Sequence, residues 1–172
     1  MYEDVKGLGV DVGNLRVSSR AVEFDLLVDS KEQIEKAVSL LVKKVGDLLA
    51  VRELDRPSLE NSDEAVRLGI SLFNEERYWE SHESFEVAWL RAAGSAREVL
   101  QAIILIAASL VHLQKGETEI AFSIMKRANV KLPEHGLLFQ IDLTRLKDMV
   151  SQMTTSGRPV FFKLPLTNTH QV

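Results

Sequence analysis

The sequence predicts an α+β chain that is mainly α-helical: an antiparallel bundle of four to five helices, preceded by a small N-terminal strand-helix-strand segment. Three observations carry this prediction. Apolar and charged residues alternate at the strand period over Val22, Glu23, Phe24, Asp25 and Leu26. From Ser62 onward the apolar residues recur at the helical period instead. Between the two stretches, Arg56-Pro57-Ser58 and Asn61-Ser62 punctuate the chain. The division is therefore placed at residues 1–57 and 58–172, the second part ending in an extended C-terminal tail.

Residues 21–28 form the first strand, with Leu15-Arg16-Val17 as its hairpin partner. Asp29 or Ser30 then caps a helix over residues 31–44, whose Ile34, Val38, Leu41 and Val42 share one face, and Gly46 ends it. The apolar run over residues 48–54 reads as a second strand, which would close a right-handed crossover.

In the second part, Ser62 caps a helix over 63–75 with Ala65 or Val66, Leu68 or Gly69, and Leu72 or Phe73 facing inward. A second helix covers about 78–92, with Tyr78, Ser81, Phe85 and Ala88 on one stripe. Gly94-Ser95 separates it from a third, 96–115, apolar enough to be central. A fourth spans about 117–130, Pro133 and Gly136 break the chain, and Asp142 caps a last helix carrying Leu143, Leu146, Met149, Val150 and Met153. The tail from Gly157 holds Val160-Phe161-Phe162, aromatic enough to pack against the body.

A faint repeat runs through the helices. Phe73, Glu76, Arg77, Ser81, Phe85 and Ala88 align with Leu113, Gly116, Glu117, Ala121, Met125 and Ala128 at a constant offset of 40 residues. That is the texture of stacked helical hairpins, although four amphipathic helices with short loops also make an ordinary bundle.

With 172 residues the chain can bury a core without covalent staples, and it has no cysteine, so thiol catalysis and thiolate metal sites are absent. The opening residues carry Glu3, Asp4 and Lys6 rather than an apolar run, so no signal peptide is expected and the expected location is cytoplasmic. The apolar stretch 99–113 is broken by Gln101, Ser109 and His112 and falls short of the roughly 20 residues that span a bilayer, so no membrane partner is expected. A net charge of -4 with scattered basic residues argues against nucleic acid.

Chemistry-bearing residues concentrate between Phe73 and Trp89. His82 and Glu86 stand four residues apart on one helical face, with Glu83 beside them. The pattern His-Glu-x-x-Glu follows the logic of the zinc motif His-Glu-x-x-His, in which the outer residues ligate and the inner glutamate is a base. A third ligand would come from His112 on the next helix, giving His82, Glu86 and His112 as ligands of a divalent metal such as zinc, with Glu83 as catalytic base. The alternative is a buried hydrogen-bonded network of His82, Glu86, Gln101, Ser109 and His112 that sets helix register. Trp79 and Trp89 would then pack beside it, whereas in a ligand-binding reading Trp79, Gln101 and Trp89 line a pocket.

This segment also resembles a known family. Phe73-Asn74, Tyr78-Trp79, Glu80, His82-Glu83, Glu86 and Trp89, followed by Leu100-Gln101, Ile104, Ala107-Ala108 and His112 before Gly116, resemble the family catalogued as domain of unknown function 309, over roughly residues 63–153. The resemblance implies a small all-α, bundle-like domain of bacteria and archaea, with His82, Glu83, Glu86, Gln101 and His112 at motif positions, and it brings no established activity. Glu76 departs from the family's usual glycine between the first two helices, which implies a less tight turn.

Three functions are therefore open. One is a non-enzymatic module that binds itself or another protein. The second is a metal-dependent hydrolase on the residues just named. In the third, a small organic ligand sits between the second and third helices.

Overall fold

The computed structural model describes residue 7, residues 9–51 and residues 61–167, within two compact units, Met1–Asp55 and Arg56–Val172. The first unit is a β-hairpin followed by a helix. Strands β1 (Asp11–Val17) and β2 (Val22–Leu27) pair antiparallel, with Val17 opposite Val22 and Asp11 opposite Leu27. Helix α1 (Lys31–Lys44) starts where the Ser30 side chain accepts from the Gln33 N–H and ends at Val45, just before Gly46 at φ 142°. Val10, Ala37 and Leu41 form its small core, with Val12, Phe24 and Leu26 packed against them.

The expected second strand is not formed over residues 48–51, and residues 52–54 lie outside those described. Leu48, Leu49 and Val51 are exposed instead. A run of apolar residues shows strand propensity but not a strand partner. β1 already pairs with β2, so the order among the described residues is strand, strand, helix.

The second unit is helical, as the periodicity requires. It comprises α2 (Ser62–Asn74), α3 (Tyr78–Arg91), α4 (Gly94–Gln114), α5 (Thr118–Lys131) and α6 (Leu143–Ser156), with a two-residue hairpin of β3 (Leu137–Leu138) and β4 (Ile141–Asp142) before the last helix. Each helix packs on its neighbour in chain order. Asn61, one residue before the expected Ser62, caps α2 by accepting from the Asp63 N–H, and Asp142 caps α6 as its sequence predicts.

The central helix α4 buries Ile103, Ile106, Ala107 and Leu110 completely. It has 21 residues, so by length and composition alone it reaches the size of a membrane span, while half of its most apolar window is buried in the protein. The stripe Tyr78, Ser81, Phe85 and Ala88 of α3 is buried, and so are Ala65, Val66, Gly69, Leu72 and Phe73 of α2.

The offset of 40 residues is a geometric repeat as well as a sequence echo. At the α2–α3 turn the Arg77 N–H donates to the Leu72 carbonyl at 2.9 Å, and at the α4–α5 turn the Glu117 N–H donates to the His112 carbonyl at 2.9 Å. Arg77 and Glu117 share φ -88° and ψ 61°. Glu76 sits at φ 64° and Gly116 at φ 77°, so the turn with glutamate has the same shape as the turn with glycine and is no looser.

Buried serines lock both hairpins. Ser81 of α3 donates to the Gly69 carbonyl of α2 at 2.9 Å, and Ser109 of α4 donates to the Ala121 carbonyl of α5 at 2.6 Å. Residues 69 and 109 are equivalent, as are 81 and 121, so the same contact is made with the hydroxyl on opposite helices. Ser84 adds a bond to the Ala65 carbonyl, and Gln114 reaches from the end of α4 to the Glu76 carbonyl.

The tail closes the open end of this stack. Phe162 meets Phe73 edge-on at 5.5 Å, Phe161 stacks on Tyr78 at 5.9 Å, and the Leu164 N–H donates to Asn74. Leu166 bridges Ile141.

Candidate functional site on helix α3

The outward stripe of α3 runs through Trp79, His82, Glu83, Glu86 and Leu90, which fall within about 100° of arc at 100° per residue. Each of His82, Glu83 and Glu86 offers a ligand atom, and these atoms all lie within 4.8 Å of one another. All three residues are half-buried. Helix geometry alone brings them together: positions i, i+1 and i+4 on one helix need no long-range register.

The His82 ring is held in place by Trp79, stacked on it at 5.8 Å and nearly parallel. Its Nδ1 is buried and lies 3.5 Å from a Glu83 carboxylate oxygen, too poorly placed to make a hydrogen bond. Leaving such an atom unsatisfied costs about 1–3 kcal/mol. Among the described residues, no hydrogen bond or ion pair engages the Glu86 carboxylate.

His112 stands apart from this group. Its Nδ1 is held 2.5 Å from Glu117 across the α4–α5 turn. Gln114, two residues further on, donates to the Glu76 carbonyl, so this end of α4 lies beside the α2–α3 turn.

The expected network of His82, Glu86, Gln101, Ser109 and His112 is not assembled either. Ser109 bonds Ala121, His112 bonds Glu117, and Gln101 is half-buried without a side-chain hydrogen bond among the described residues. The buried polar contacts that fix helix register come from Ser81, Ser84, Ser109 and Gln114. Of these only Ser109 belongs to the network that the sequence predicts. A serine inside a helix reads as neutral unless its partner carbonyl is known.

Trp79 and Trp89 lie near opposite ends of α3. Ten residues of helix separate them by about 15 Å. Arg97 covers the Trp89 ring at 3.9 Å and donates to the Trp89 carbonyl at the end of α3. A shallow concavity of about 400 Å³ lies on α1, lined by Glu35, Lys36, Ser39, Leu40 and Lys43, and holds none of these residues.

The stretch holding this geometry is similar to a known family. Residues 66–124 match DUF309, a domain of unknown function. The match takes in most of α2, all of α3 and α4 and the first half of α5, so both repeated turns and every residue of the α3 stripe fall inside the DUF309 segment. It is narrower than the 63–153 expected from the motif, and α6 and the tail lie outside it. No curated protein matches the chain.

The repeat shows which features of the DUF309 segment are architectural. At the positions equivalent to His82, Glu83 and Glu86, helix α5 carries Phe122, Ser123 and Lys126. The same hairpin geometry is therefore built with an unlike set of side chains, so the fold does not require the imidazole and the two carboxylates. Chemically, the three groups can serve as three ligands, or as two ligands and a base. They do not make three ligands and a separate base, which a zinc hydrolase uses.

Proposed function

We propose that the helical unit is a non-enzymatic interaction module and that its first partner is a second copy of itself. The observation that carries this reading is the unlike character of two equivalent outward faces. The α3 stripe carries Glu83 and Glu86, whereas the α5 face has Ser123 and Lys126 at the equivalent positions, with Arg127 and one carboxylate, Glu119, beside them. Both end in exposed apolar residues: Trp79 and Leu90 on α3, Ile120 and Val130 on α5. In a twofold pairing, α3 of each copy meets α5 of the other, so the complementary contact forms twice.

The test is light scattering on the full chain over about a hundredfold range of concentration. A dimer is expected, weakened by salt and by Lys126→Glu with Arg127→Glu. The double variant Trp79→Ser, Leu90→Ser should be monomeric with unchanged helicity. A monomer throughout the range, or a dimer indifferent to these substitutions, would sink the reading.

A further inference from the structure

We propose that the aromatic groove at the α2–α3 turn is a docking site for an extended peptide of another protein, and that the C-terminal tail fills it as an exchangeable ligand from within the chain. The tail shows what chemistry the groove accepts. Phe161 stacks on Tyr78, Phe162 meets Phe73 edge-on, and two residues further on the Leu164 N–H donates to the Asn74 side chain at 2.8 Å. The Pro165 carbonyl then accepts from the Asp142 N–H, and the Thr167 N–H donates to the Gln140 carbonyl, both at 2.8 Å. Apolar contacts for side chains and hydrogen bonds for the backbone are the terms on which a groove holds an extended peptide.

Two observations mark the tail as exchangeable. Tyr78 is fully buried beside it, yet the Tyr78 hydroxyl has no hydrogen bond of normal geometry, so the tail leaves unsatisfied a group that a ligand with an acceptor at that point would satisfy. The tail also joins the body through exposed residues 155–158, around Gly157 at φ 69°, so its release moves no helix. Release alone would bring Phe73 and Tyr78 into water, which the hydrophobic effect opposes. The groove is therefore refilled, either by the tail or by a peptide of the same pattern.

The groove belongs to the first hairpin only. At the positions equivalent to Phe73, Asn74 and Tyr78 the second hairpin has Leu113, Gln114 and Thr118, and Gln114 reaches to the first hairpin instead of to a tail. Phe73, Asn74 and Tyr78 lie within the family match at residues 66–124, whereas the tail lies outside it. The partner that fits carries two consecutive aromatic residues and, two positions on, a leucine-sized residue other than proline, whose N–H meets Asn74.

The inference goes beyond the self-association reading, and the full chain tests it. Protein carrying Phe161→Ser and Phe162→Ser is titrated into a labelled peptide of the tail's sequence, residues 158–167, while fluorescence anisotropy is recorded. Expected is saturable binding to this variant and at least about tenfold weaker binding to the wild type, whose own tail competes at high local concentration. Adding Asn74→Ala should weaken binding by about fivefold. No binding to the variant would overturn the proposal, as would equal binding of a peptide with serine at both phenylalanine positions. A wild-type dimer that dissociates on the two tail substitutions would give the groove to a second copy and overturn it too. Hydrogen exchange on the wild type needs no variant to fold. The Leu164 and Thr167 amides should exchange at least about a hundredfold faster than those of Ile103 and Leu110 in α4, and equal rates would show that the tail leaves only on global unfolding, which ends the proposal. A dimer formed through α3 and α5 is indifferent to the tail substitutions, so either proposal can fail alone.

Discussion

Glu76 and Gly116 occupy the same left-handed backbone conformation, φ 64° and φ 77°, at the two repeated turns of the helical unit. Glycine enters that region without penalty, whereas an L side chain pays about 1 kcal/mol there. The α2–α3 turn keeps its shape because the Arg77 N–H bond to Leu72 and the Gln114 bond to the Glu76 carbonyl both depend on it. Glu76→Gly should therefore raise the unfolding free energy by about 0.5–1 kcal/mol, and Gly116→Ala should lower it by a similar amount. Equilibrium denaturation in urea measures both. A loss of stability on Glu76→Gly would mean that the Glu76 side chain contributes more than its backbone costs.

Gly69 marks the closest approach between two helices. A Cβ built there would lie 2.9 Å from the Phe85 ring, and the ring is fully buried with nowhere to retreat. Gly69→Ala should cost about 1–3 kcal/mol despite improving helix propensity. The equivalent pair in the second hairpin is Ser109 with Met125, a larger residue facing a slimmer one. Gly69→Ser combined with Phe85→Met should accordingly recover much of the stability that Gly69→Ser alone loses. Thermal denaturation of the three variants decides this, and additive losses would show that the two hairpins fill their cores differently.

These two turns and this one crossing show how much the sequence disclosed. The 40-residue echo was legible in six pairs of residues, and it is geometric down to the cap dihedrals of Arg77 and Glu117. Helix limits were legible within a residue or two because capping and apolar period are local. The grouping of His82, Glu83 and Glu86 was legible for the same reason. Whatever depended on another element was not. Placing His112 beside His82 and Glu86 needs two helices to converge, and how two helices pack is encoded in no local pattern; here His112 bonds Glu117 instead. The run 48–54 looked like a strand because propensity is local, whereas a strand needs a partner. Ser81 and Ser84 were silent because their meaning lies in carbonyls 12 and 19 residues away.

His112 and Glu117 are partly exposed, at 32% and 43% of their side chains, and bridge only the α4–α5 turn. A pair in that setting is worth about 0.2–1 kcal/mol. His112→Gln should therefore lower stability by less than about 1 kcal/mol. Ser109→Ala, which removes a fully buried hydroxyl from the α4–α5 crossing, should cost about 1 kcal/mol or more. The contrast between the two, measured in one denaturation series, separates the polar group that holds the hairpin from the one at its rim. A larger loss in His112→Gln would reverse that assignment.

Tyr78 provides the pH prediction. Its ring is buried between Phe73 and Phe161, and its hydroxyl has no hydrogen bond of normal geometry. Burial pushes the phenol well above its usual range, the nearby Glu76 charge adds to this, and the Phe162 backbone only partly offsets them. A phenol whose folded pKa is raised favours the folded state while it is neutral. That contribution is complete below the unfolded value of about 10 and is lost as pH rises beyond it. The chain should thus lose stability above about pH 10, and Tyr78 should ionise only as the helical unit unfolds, which ultraviolet titration of the phenolate band records. Tyr78→Phe keeps the ring contacts and removes the unsatisfied hydroxyl. It should cost under about 1 kcal/mol at neutral pH and flatten the alkaline decline. A decline of unchanged steepness in Tyr78→Phe would assign the alkaline sensitivity to another group.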